Sequence, residues 1–291
     1  MVLLKSILSF FIYPTLVLGG GAVIIWGLGA GLPSAQVVVP VWLISGVCVF
    51  CLERFMPYEP DWINNHNDAI TDIVHYLVNF AMKQGSLMGY ALLVEKLSIV
   101  ALWPGKWPFG LQVILCLAII DLFLYLIHRW SHHNDFLWRF HAIHHSSKRL
   151  YWVNGEKRHP IHQLLEGVPG VTLVLLVGAP HLVVVSALSI LAINMMLQHG
   201  NIAYRAGWLR FLFCVAELHR WHHQKEVDKS RVNFGAFFAL WDLLFKTYRS
   251  HSGHLTSQDV GIEEEPDFPT TYFEQLGWPW KRRSGLSENL N

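Results

Sequence analysis

Histidine is the residue type whose number and spacing point most directly to chemistry in this sequence. The chain of 291 residues contains 17 histidines, and most of them lie in five short segments between residues 128 and 223. Histidines three or four positions apart share one face of a helix. Three segments have this spacing: His128 and His132 in the first, His141, His144 and His145 in the second, and His219, His222 and His223 in the third.

Each of these segments presents two or three imidazoles in one direction, which predicts a metal site. Neutral imidazoles packed together need a partner for their lone pairs, and zinc, copper, iron and nickel all suit imidazole. Eight or more imidazoles without a nearby thiolate favour two ions. The H-E-x-x-H pattern of zinc proteases is absent, and the E-x-x-H pattern that carboxylate di-iron bundles use in pairs occurs once, at Glu156 and His159. Ligation by histidine alone leaves positions open for oxygen, which favours iron over a structural zinc.

The composition indicates that the elements carrying these histidines lie partly in a membrane. Hydrophobic residues make up 53% of the chain and charged residues 15%, whereas soluble proteins average about 25% charged residues. The net charge of +1 excludes a nucleic-acid-binding protein, and the hydrophobicity excludes a disordered chain. The four cysteines lie mostly in apolar runs and imply no disulfide framework.

Four apolar runs are long enough, or nearly so, to cross a membrane. They cover residues 7–26, 37–52, 73–103 and 109–127. The third is the least certain, because Lys83 and Glu95 interrupt it. For the first run a cleaved signal peptide is the competing interpretation, but the apolar part of a signal peptide is shorter, so we favour a retained helix.

The next apolar run, 168–197, is broken at residues 178–181 (Gly-Ala-Pro-His). We expect two helices that fold back there as a re-entrant hairpin, because a single crossing would put the membrane between the second and third histidine segments. The predicted fold is therefore all-α: an integral membrane protein with about four transmembrane helices, the re-entrant helical hairpin, and a cytosolic helical cap that carries the histidine boxes. Positive residues beside the boxes agree with a cytoplasmic face; they are Lys148, Arg149, Lys157 and Arg158.

These segments resemble the fatty acid hydroxylase/sterol desaturase superfamily of membrane enzymes. The resemblance covers roughly residues 109–250 and runs through HRWSHH, HAIHH, RHP, QHGN, HRWHH and NFGAFFALWDLLFKTY, with ERFMP at 53–57 similar to the family's upstream segment. It implies a membrane di-iron oxygenase that hydroxylates or desaturates lipids, sterols or related chains.

The resemblance also implies a set of iron ligands. They are His128, His132, His141, His144, His145, His199, His219, His222 and His223. Some members of the family have a further histidine four residues before the position of His199, and Met195 stands there in this chain. His159, with His162 next, is the candidate replacement, and His133 is a further possible ligand because it extends the first box.

Two acidic residues are candidates for orienting the imidazoles through the ring nitrogen that does not bind the metal. Asp121 lies inside an apolar run, and Asp242 lies in ALWDLLF. A carboxylate that accepts the second N–H of a metal-bound histidine fixes the orientation of the ring, and for Asp121 we expect a histidine of another box as the partner. Lys246 stands where the family often has glycine. The histidines outside the boxes are expected at surfaces or interfaces: His66, His75, His181, His251 and His254.

The predicted organisation has three parts. Residues 1–108 form the N-terminal transmembrane helices with their connecting surface loop, residues 109–250 form the di-iron catalytic domain, and residues 251–291 form a soluble tail. The predicted function is an O₂-dependent hydroxylase with two iron ions, acting on a lipid, fatty acyl or sterol-like substrate from the bilayer in lipid biosynthesis or modification.

Two alternatives share this scaffold: a desaturase, or a hydroxylase of an amino-lipid head group. The sequence carries no flavin, haem or iron–sulfur motif, so a separate electron donor is implied, either a ferredoxin or a cytochrome-type reductase system. An alternative of another class is a membrane metal-binding or transport protein. Its histidines would lie along several spans, whereas here they follow the spans.

Overall fold

The computed structural model describes residues 2–94 and 102–281. Within these ranges the chain is helical, with two isolated β-bridges and no strand, which confirms the all-α prediction. The α-helices are α1 (Val2–Tyr13), α2 (Gly20–Gly29), α3 (Ser34–Phe55), α4 (Ala69–Val94), α5 (Phe109–Ser131), α6 (Asp135–His145), α7 (Pro160–Leu176), α8 (His181–His199), α9 (Ala216–His222), α10 (Val227–Ser230), α11 (Leu240–Leu244) and α12 (Tyr272–Gly277).

Four helical segments of the described chain are long and apolar enough to cross a membrane. They are Leu3–Gly29, Ser34–Phe55, Phe109–Ser131 and His181–His199. The first joins α1 to α2 through a π-helical segment, Pro14–Gly19, and Pro14 at its start cannot donate a backbone hydrogen bond. Three of the four coincide with predicted spans, and the fourth, α8, belongs to the predicted hairpin. Helix α4 is not one of the four, and residues 95–101 at the end of the predicted span 73–103 lie outside the described residues.

The long helices reverse direction at two opposite ends of the protein. At one end α2 turns into α3 through Gly31, whose φ of +82° favours glycine, and Gly29 lies against Phe109 at the start of α5. At the other end the backbone of Arg205 donates to Ser9 O, and Glu53 accepts from the backbone of Asn201. The second end carries the histidine boxes, and we call it the histidine end.

The helices α7 and α8 form a hairpin that leaves the histidine end and returns to it. The hairpin turns where the sequence predicted a break, through Gly178 with a φ of +91° and Pro180 before α8. In the middle of the hairpin Gly170 lies so close to α5 that an added Cβ would be 2.9 Å from the Cα of Ile120. At the histidine end a hydrogen bond joins α5 to α7, where Ser131 Oγ and His162 Nε2 are 2.8 Å apart.

Three of the four positive residues beside the boxes are held in ion pairs with little exposure. Arg149 pairs with Asp68 at 2.8 Å, Lys157 with Asp72 at 3.0 Å, and Arg158 with Glu166 at 2.9 Å. Only Lys148 of the four is exposed. The positive-inside rule counts lysine and arginine, and nearby carboxylates weigh little in it, so the cytoplasmic face inferred from these four residues stays a prediction.

The described part of the C-terminal tail packs on the histidine end. Thr71 Oγ1 donates to Thr270 O, and the exposed His254 pairs with Glu59. His75 was expected at a surface or interface, and it is fully buried between Arg158 O and Gln275 Oε1. The other histidines outside the boxes are half-buried or exposed, as expected.

Candidate metal centre

Nine histidines meet in two adjacent buried groups at the histidine end. The ligand atoms within each group lie within 4.8 Å of one another. The groups touch through His145 and His223, whose rings stack with centroids 4.5 Å apart. The first group contains His128, His132, His141, His145 and His222, and the second contains His144, His199, His219 and His223. The structure thus brings together all nine residues that the sequence singled out.

Short helices with well-defined starts aim these rings at one place. Asn134 caps α6 by accepting a hydrogen bond from the backbone of Leu137 at 3.0 Å, which satisfies one of the free N–H groups at a helix start. Asp135 in the first turn also favours the helix. Because α6 begins there, His141, His144 and His145 fall on its last turns.

Backbone and amide oxygens hold the outer nitrogen of several rings. An oxygen acceptor requires the ring nitrogen to carry the hydrogen. His128 Nδ1 donates to Phe234 O at 2.7 Å, and His222 Nδ1 donates to Val232 O at 2.9 Å. In the second group His144 Nδ1 donates to Lys157 O at 3.2 Å. In a neutral ring the inner nitrogen, Nε2, then keeps its lone pair for a metal.

The inner nitrogens have the spacing and the lack of partners that a metal site requires. Nε2 of His199 lies 2.9 Å from Nε2 of His219, and Nε2 of His145 lies 3.1 Å from Nε2 of His222. Two nitrogens at right angles around an ion, each about 2.1 Å from it, are about 3 Å apart. Other buried ring nitrogens find no hydrogen-bond partner within the described ranges: His128 Nε2, His144 Nε2, His219 Nδ1, and both nitrogens of His132 and His141. The residues present therefore fit metal ions in both groups.

The protonation state of the rings also suits metal binding. Burial lowers the pKa of His222 to about 4. Burial, with His223 and His199 nearby, holds the pKa of His144 well below its ordinary value. At neutral pH both rings are therefore uncharged, which is the form that binds a metal.

The three additional candidate ligands have different surroundings. His162 is fully buried and forms a third cluster with His141 and Glu166. His159 instead caps α7, because its Nδ1 accepts from the backbone of Ile161, and its ring lies near Trp280. His133 is exposed, and its Nδ1 donates to Arg129 O. The structure places neither His159 nor His133 in a histidine group.

Asp121 and Asp242 support the site through the main chain. Asp121 accepts from the backbone N–H of Ala236, Phe237 and Phe238 at 3.2, 2.8 and 2.8 Å. Asp242 accepts from the backbone of Phe234 at 2.8 Å. No histidine of the described chain hydrogen-bonds either carboxylate, so the expected histidine partner of Asp121 is wrong. The two carboxylates hold residues 234–238, which supply the carbonyl for His128.

Asn154 is a site residue that the sequence reasoning missed. Its Oδ1 lies 3.2 Å from His199 Nδ1, and its Nδ2 donates to Arg149 O at 2.7 Å, which fixes Oδ1 as the acceptor. No spacing rule marks a single asparagine in a short 3-10 helix, here Trp152–Glu156. Gln198, next to His199 in QHGN, donates to Gly235 O at 2.9 Å and also holds the 234–238 segment.

A largely apolar cleft runs from the histidine end between α3, α4, α5, α7 and α8. It contains about 1250 Å³ of empty space, including its open mouth. Trp42, Phe80, Leu124, Val171 and Leu188 are among its apolar residues. Gly155 in its wall touches the second histidine group, because a Cβ added there would be 3.3 Å from the ring of His199. One wall of the cleft therefore lies against the metal centre.

Comparisons with known proteins agree with this architecture. The family profile described as fatty acid hydroxylase matches residues 113–247. The chain is 33% identical over 254 residues to the ornithine lipid hydroxylase OlsE of Rhizobium tropici, which covers 84% of this chain and 75% of that protein. No solved structure matches the chain.

More distant relatives carry the names of enzymes that act on other lipids. The chain is 26% identical over 189 residues to the alkylglycerol monooxygenase of Caenorhabditis elegans, covering 63% of this chain and 36% of that protein. It is 26% identical over 185 residues to methylsterol monooxygenase 1 of Danio rerio, covering 60% of this chain and 62% of that protein. The chain thus spans only part of these longer relatives.

Proposed function

The chain belongs to the fatty acid hydroxylase family, and from that premise we propose that it uses two iron ions and O₂ to hydroxylate an amino lipid. Membership of the family makes it a membrane lipid hydroxylase and an oxidoreductase. The amino lipid is proposed from the relative named ornithine lipid hydroxylase. The two ions are proposed from the two histidine groups.

One observation carries the proposal: the buried, unpartnered ring nitrogens beside the end of an apolar cleft. Ring nitrogens such as His128 Nε2 and His144 Nε2 lack partners, and Gly155 joins the cleft wall to His199. A buried polar atom without a partner is destabilising, so five rings with such nitrogens among the nine clustered histidines favour bound ions. A lipid chain in the cleft would then lie close to them.

The reaction is balanced by O₂ and an external reductant. Substrate, O₂, two electrons and two protons give the alcohol and one water. Bound iron would supply the reduction of O₂ and the oxidation of an unactivated C–H bond. The protein holds the rings in orientation through Phe234 O and Val232 O, and burial of the histidines excludes water. The electrons come from a separate donor, a ferredoxin or a cytochrome-type reductase system, because the sequence carries no redox motif of its own.

We further propose that the histidine end faces the cytoplasm. Within the described residues, the loops at the opposite end that join predicted spans are 30–33 and 102–108, and they contain a single lysine or arginine, Lys106. The loops at the histidine end carry several, including Lys148, Arg205 and Lys225. Cytoplasmic loops carry the excess of lysine and arginine, so this distribution supports the orientation.

The test is oxygen transfer by the purified full chain in lipid nanodiscs. The protein receives iron, a ferredoxin–reductase pair, an ornithine lipid and isotopically labelled O₂, and the lipid is analysed by mass spectrometry. We expect one labelled oxygen in the lipid, no product from His222→Ala, and unchanged product from His181→Ala, which alters an exposed histidine far from the site. A lipid that loses two hydrogens without gaining oxygen, or gains unlabelled oxygen from water, contradicts the proposal.

A further inference from the structure

The end of the cleft nearest the histidines carries charges that the oxidation chemistry does not require. Lys83, Glu156 and Arg158 line the cleft there. Lys83 Nζ donates to both carboxylate oxygens of Glu156 at 2.6 Å. The lysine side chain keeps 32% of its surface exposed and the glutamate 15%. Charges in a largely apolar cleft carry a desolvation cost, so their presence indicates a charged ligand.

Gln163 is an independent observation at the same place. Its side chain is only 6% exposed and lines the cleft. Its Oε1 has no hydrogen-bond partner in the part of the chain that is described. A buried acceptor without a partner is destabilising. A ligand with an N–H group, such as an amide, would satisfy this atom.

The charges that face the cleft are two cations and one carboxylate. Arg158 donates to Glu166 at 2.9 Å, but Glu166 lies behind the wall rather than in it. Lys83 and Arg158 can therefore bind a carboxylate of the ligand, while Glu156 can bind an ammonium group. The Lys83–Glu156 pair is partly exposed, and such pairs contribute little stability, so a zwitterion can replace each partner by its own group.

We propose that Lys83, Glu156, Arg158 and Gln163 form the head-group site for a lipid whose polar end is an amino acid with a free carboxylate and a free ammonium group. This inference rests on the proposed lipid hydroxylase function and adds the residues that recognise the substrate. The carboxylate binds Lys83 and Arg158, the ammonium binds Glu156, and the amide N–H donates to Gln163.

The position of this site decides which part of the lipid is oxidised. Gly155, next to Glu156, touches His199. Along α8, Met195 lies about 6 Å and Leu188 about 16 Å before His199 at 1.5 Å per residue, and both line the cleft. A lipid with its head group at Glu156 therefore presents head-group carbons to the histidines and extends its acyl chains away. The oxidised C–H bond belongs to the head group.

The first experiment measures lipid binding without turnover. The full chain in nanodiscs, without O₂ or reductant, is titrated with an N-acyl ornithine lipid, its carboxamide, its N-acetylated form, and phosphatidylethanolamine with matched chains. We expect Lys83→Met to weaken binding of the parent lipid by about 10-fold and to leave binding of the carboxamide unchanged. We expect Glu156→Gln to weaken binding of the parent by about 10-fold and to leave binding of the N-acetylated form unchanged.

The matched control is Lys229→Met, which breaks an exposed ion pair with Glu226 of the same 2.6 Å length. It should change the binding of no lipid. Equal weakening of all four lipids by Lys83→Met would show a structural role and overturn the proposal. The proposal would also be overturned if phosphatidylethanolamine bound as tightly as the ornithine lipid, because the site would then accept a phosphate in place of the carboxylate.

The second experiment locates the added oxygen by fragmenting the product in the mass spectrometer. We expect the heavier fragment to be the head group. Oxygen on an acyl fragment would overturn this inference while leaving the proposed hydroxylase function intact. If no lipid gains oxygen, the proposed function fails, and the binding titration still decides whether the head-group site exists.

Discussion

Phe234 connects the buried carboxylate of Asp242 to the metal centre. Its N–H donates to Asp242 Oδ1 at 2.8 Å, and its carbonyl accepts from His128 Nδ1 at 2.7 Å. Asp121 holds the following residues by accepting from three backbone N–H groups. Ring orientation therefore depends on a main-chain segment that two acids fix in place.

Asp121→Asn should loosen this segment. The amide offers one acceptor oxygen and turns an NH₂ group toward a backbone donor, so we expect a loss of about 1–3 kcal/mol in the free energy of unfolding. A lower iron content should follow, because the carbonyl that orients His128 moves. Thermal unfolding in detergent and elemental analysis measure both effects. The control Asp228→Asn alters a carboxylate that is 90% exposed and should change neither quantity. Full stability and full iron content in Asp121→Asn would show that the three hydrogen bonds are not needed.

Lys246 occupies the left-handed region that favours glycine. Its φ is +61°, which agrees with a position where the family often has glycine. Left-handed backbone costs a residue other than glycine about 1–2 kcal/mol, and the flexibility of glycine in the unfolded chain offsets part of that cost. Lys246→Gly should therefore stabilise the protein by about 0.5–1 kcal/mol. Asn67→Gly is the control: Asn67 has a φ of +63°, but asparagine tolerates this region, so its melting temperature should change little. A lower melting temperature for Lys246→Gly would contradict this reasoning.

At the residue scale, the sequence predicted which histidines form the site but not which groups orient their rings. Spacing places rings on one helix face, so His141, His144 and His145 could be assigned to a site from the sequence alone. The partner of Asp121 lies more than a hundred residues away, in a segment with no regular periodicity, and no local rule predicts it. His75 was misplaced for a related reason: its partners, Arg158 and Gln275, become neighbours only in the folded chain.

At the scale of elements, the hairpin of α7 and α8 decides whether all the histidines reach one site. Its turn was predictable, because glycine and proline interrupt an otherwise apolar run. The depth that the hairpin reaches was not predictable, because the close approach of Gly170 to Ile120 depends on how α7 packs on α5. From that contact the turn at Gly178 is eight residues away and the start of α5 at Phe109 is eleven. The turn therefore falls about 4 Å short of the start of α5, so the hairpin reaches nearly the same depth as α5, and its re-entrant character stays a prediction.

Cysteine labelling tests this topology. Cys48 and Cys51 are replaced by serine, and the buried Cys116 and Cys214 are kept. A membrane-impermeant reagent should label Lys148→Cys and Lys225→Cys from the same side and Lys106→Cys from the other. For a re-entrant hairpin, His181→Cys should remain unlabelled from both sides. Labelling of Lys148→Cys and Lys225→Cys from opposite sides would refute the hairpin.

At the scale of the whole molecule, the membrane helices and the polar cap meet at the metal centre. Three of the candidate spans were predictable from hydropathy, since the segment of α1 and α2, α3 and α5 are apolar over most of their length. Helix α4 was assigned as a span because its sequence is apolar over many residues. In the structure α4 begins at the histidine end, whereas residues 102–108 lie at the opposite end, and α4 carries Lys83 to Glu156 at the edge of the cleft. The charged residue inside this predicted span therefore belongs to the cleft. Such a role depends on contacts between distant segments and was not predictable.

We propose that the two histidine groups hold one iron ion each, and the metal content per chain tests this most directly. Elemental analysis of the purified protein should find two iron ions per chain. His222→Ala, in the first group, and His144→Ala, in the second, should each lose about one ion, because removing a direct ligand costs more than the 10–100-fold in affinity typical of outer partners. His181→Ala should keep both ions. An active protein with fewer than one iron per chain, or both box variants with two ions, would contradict the account.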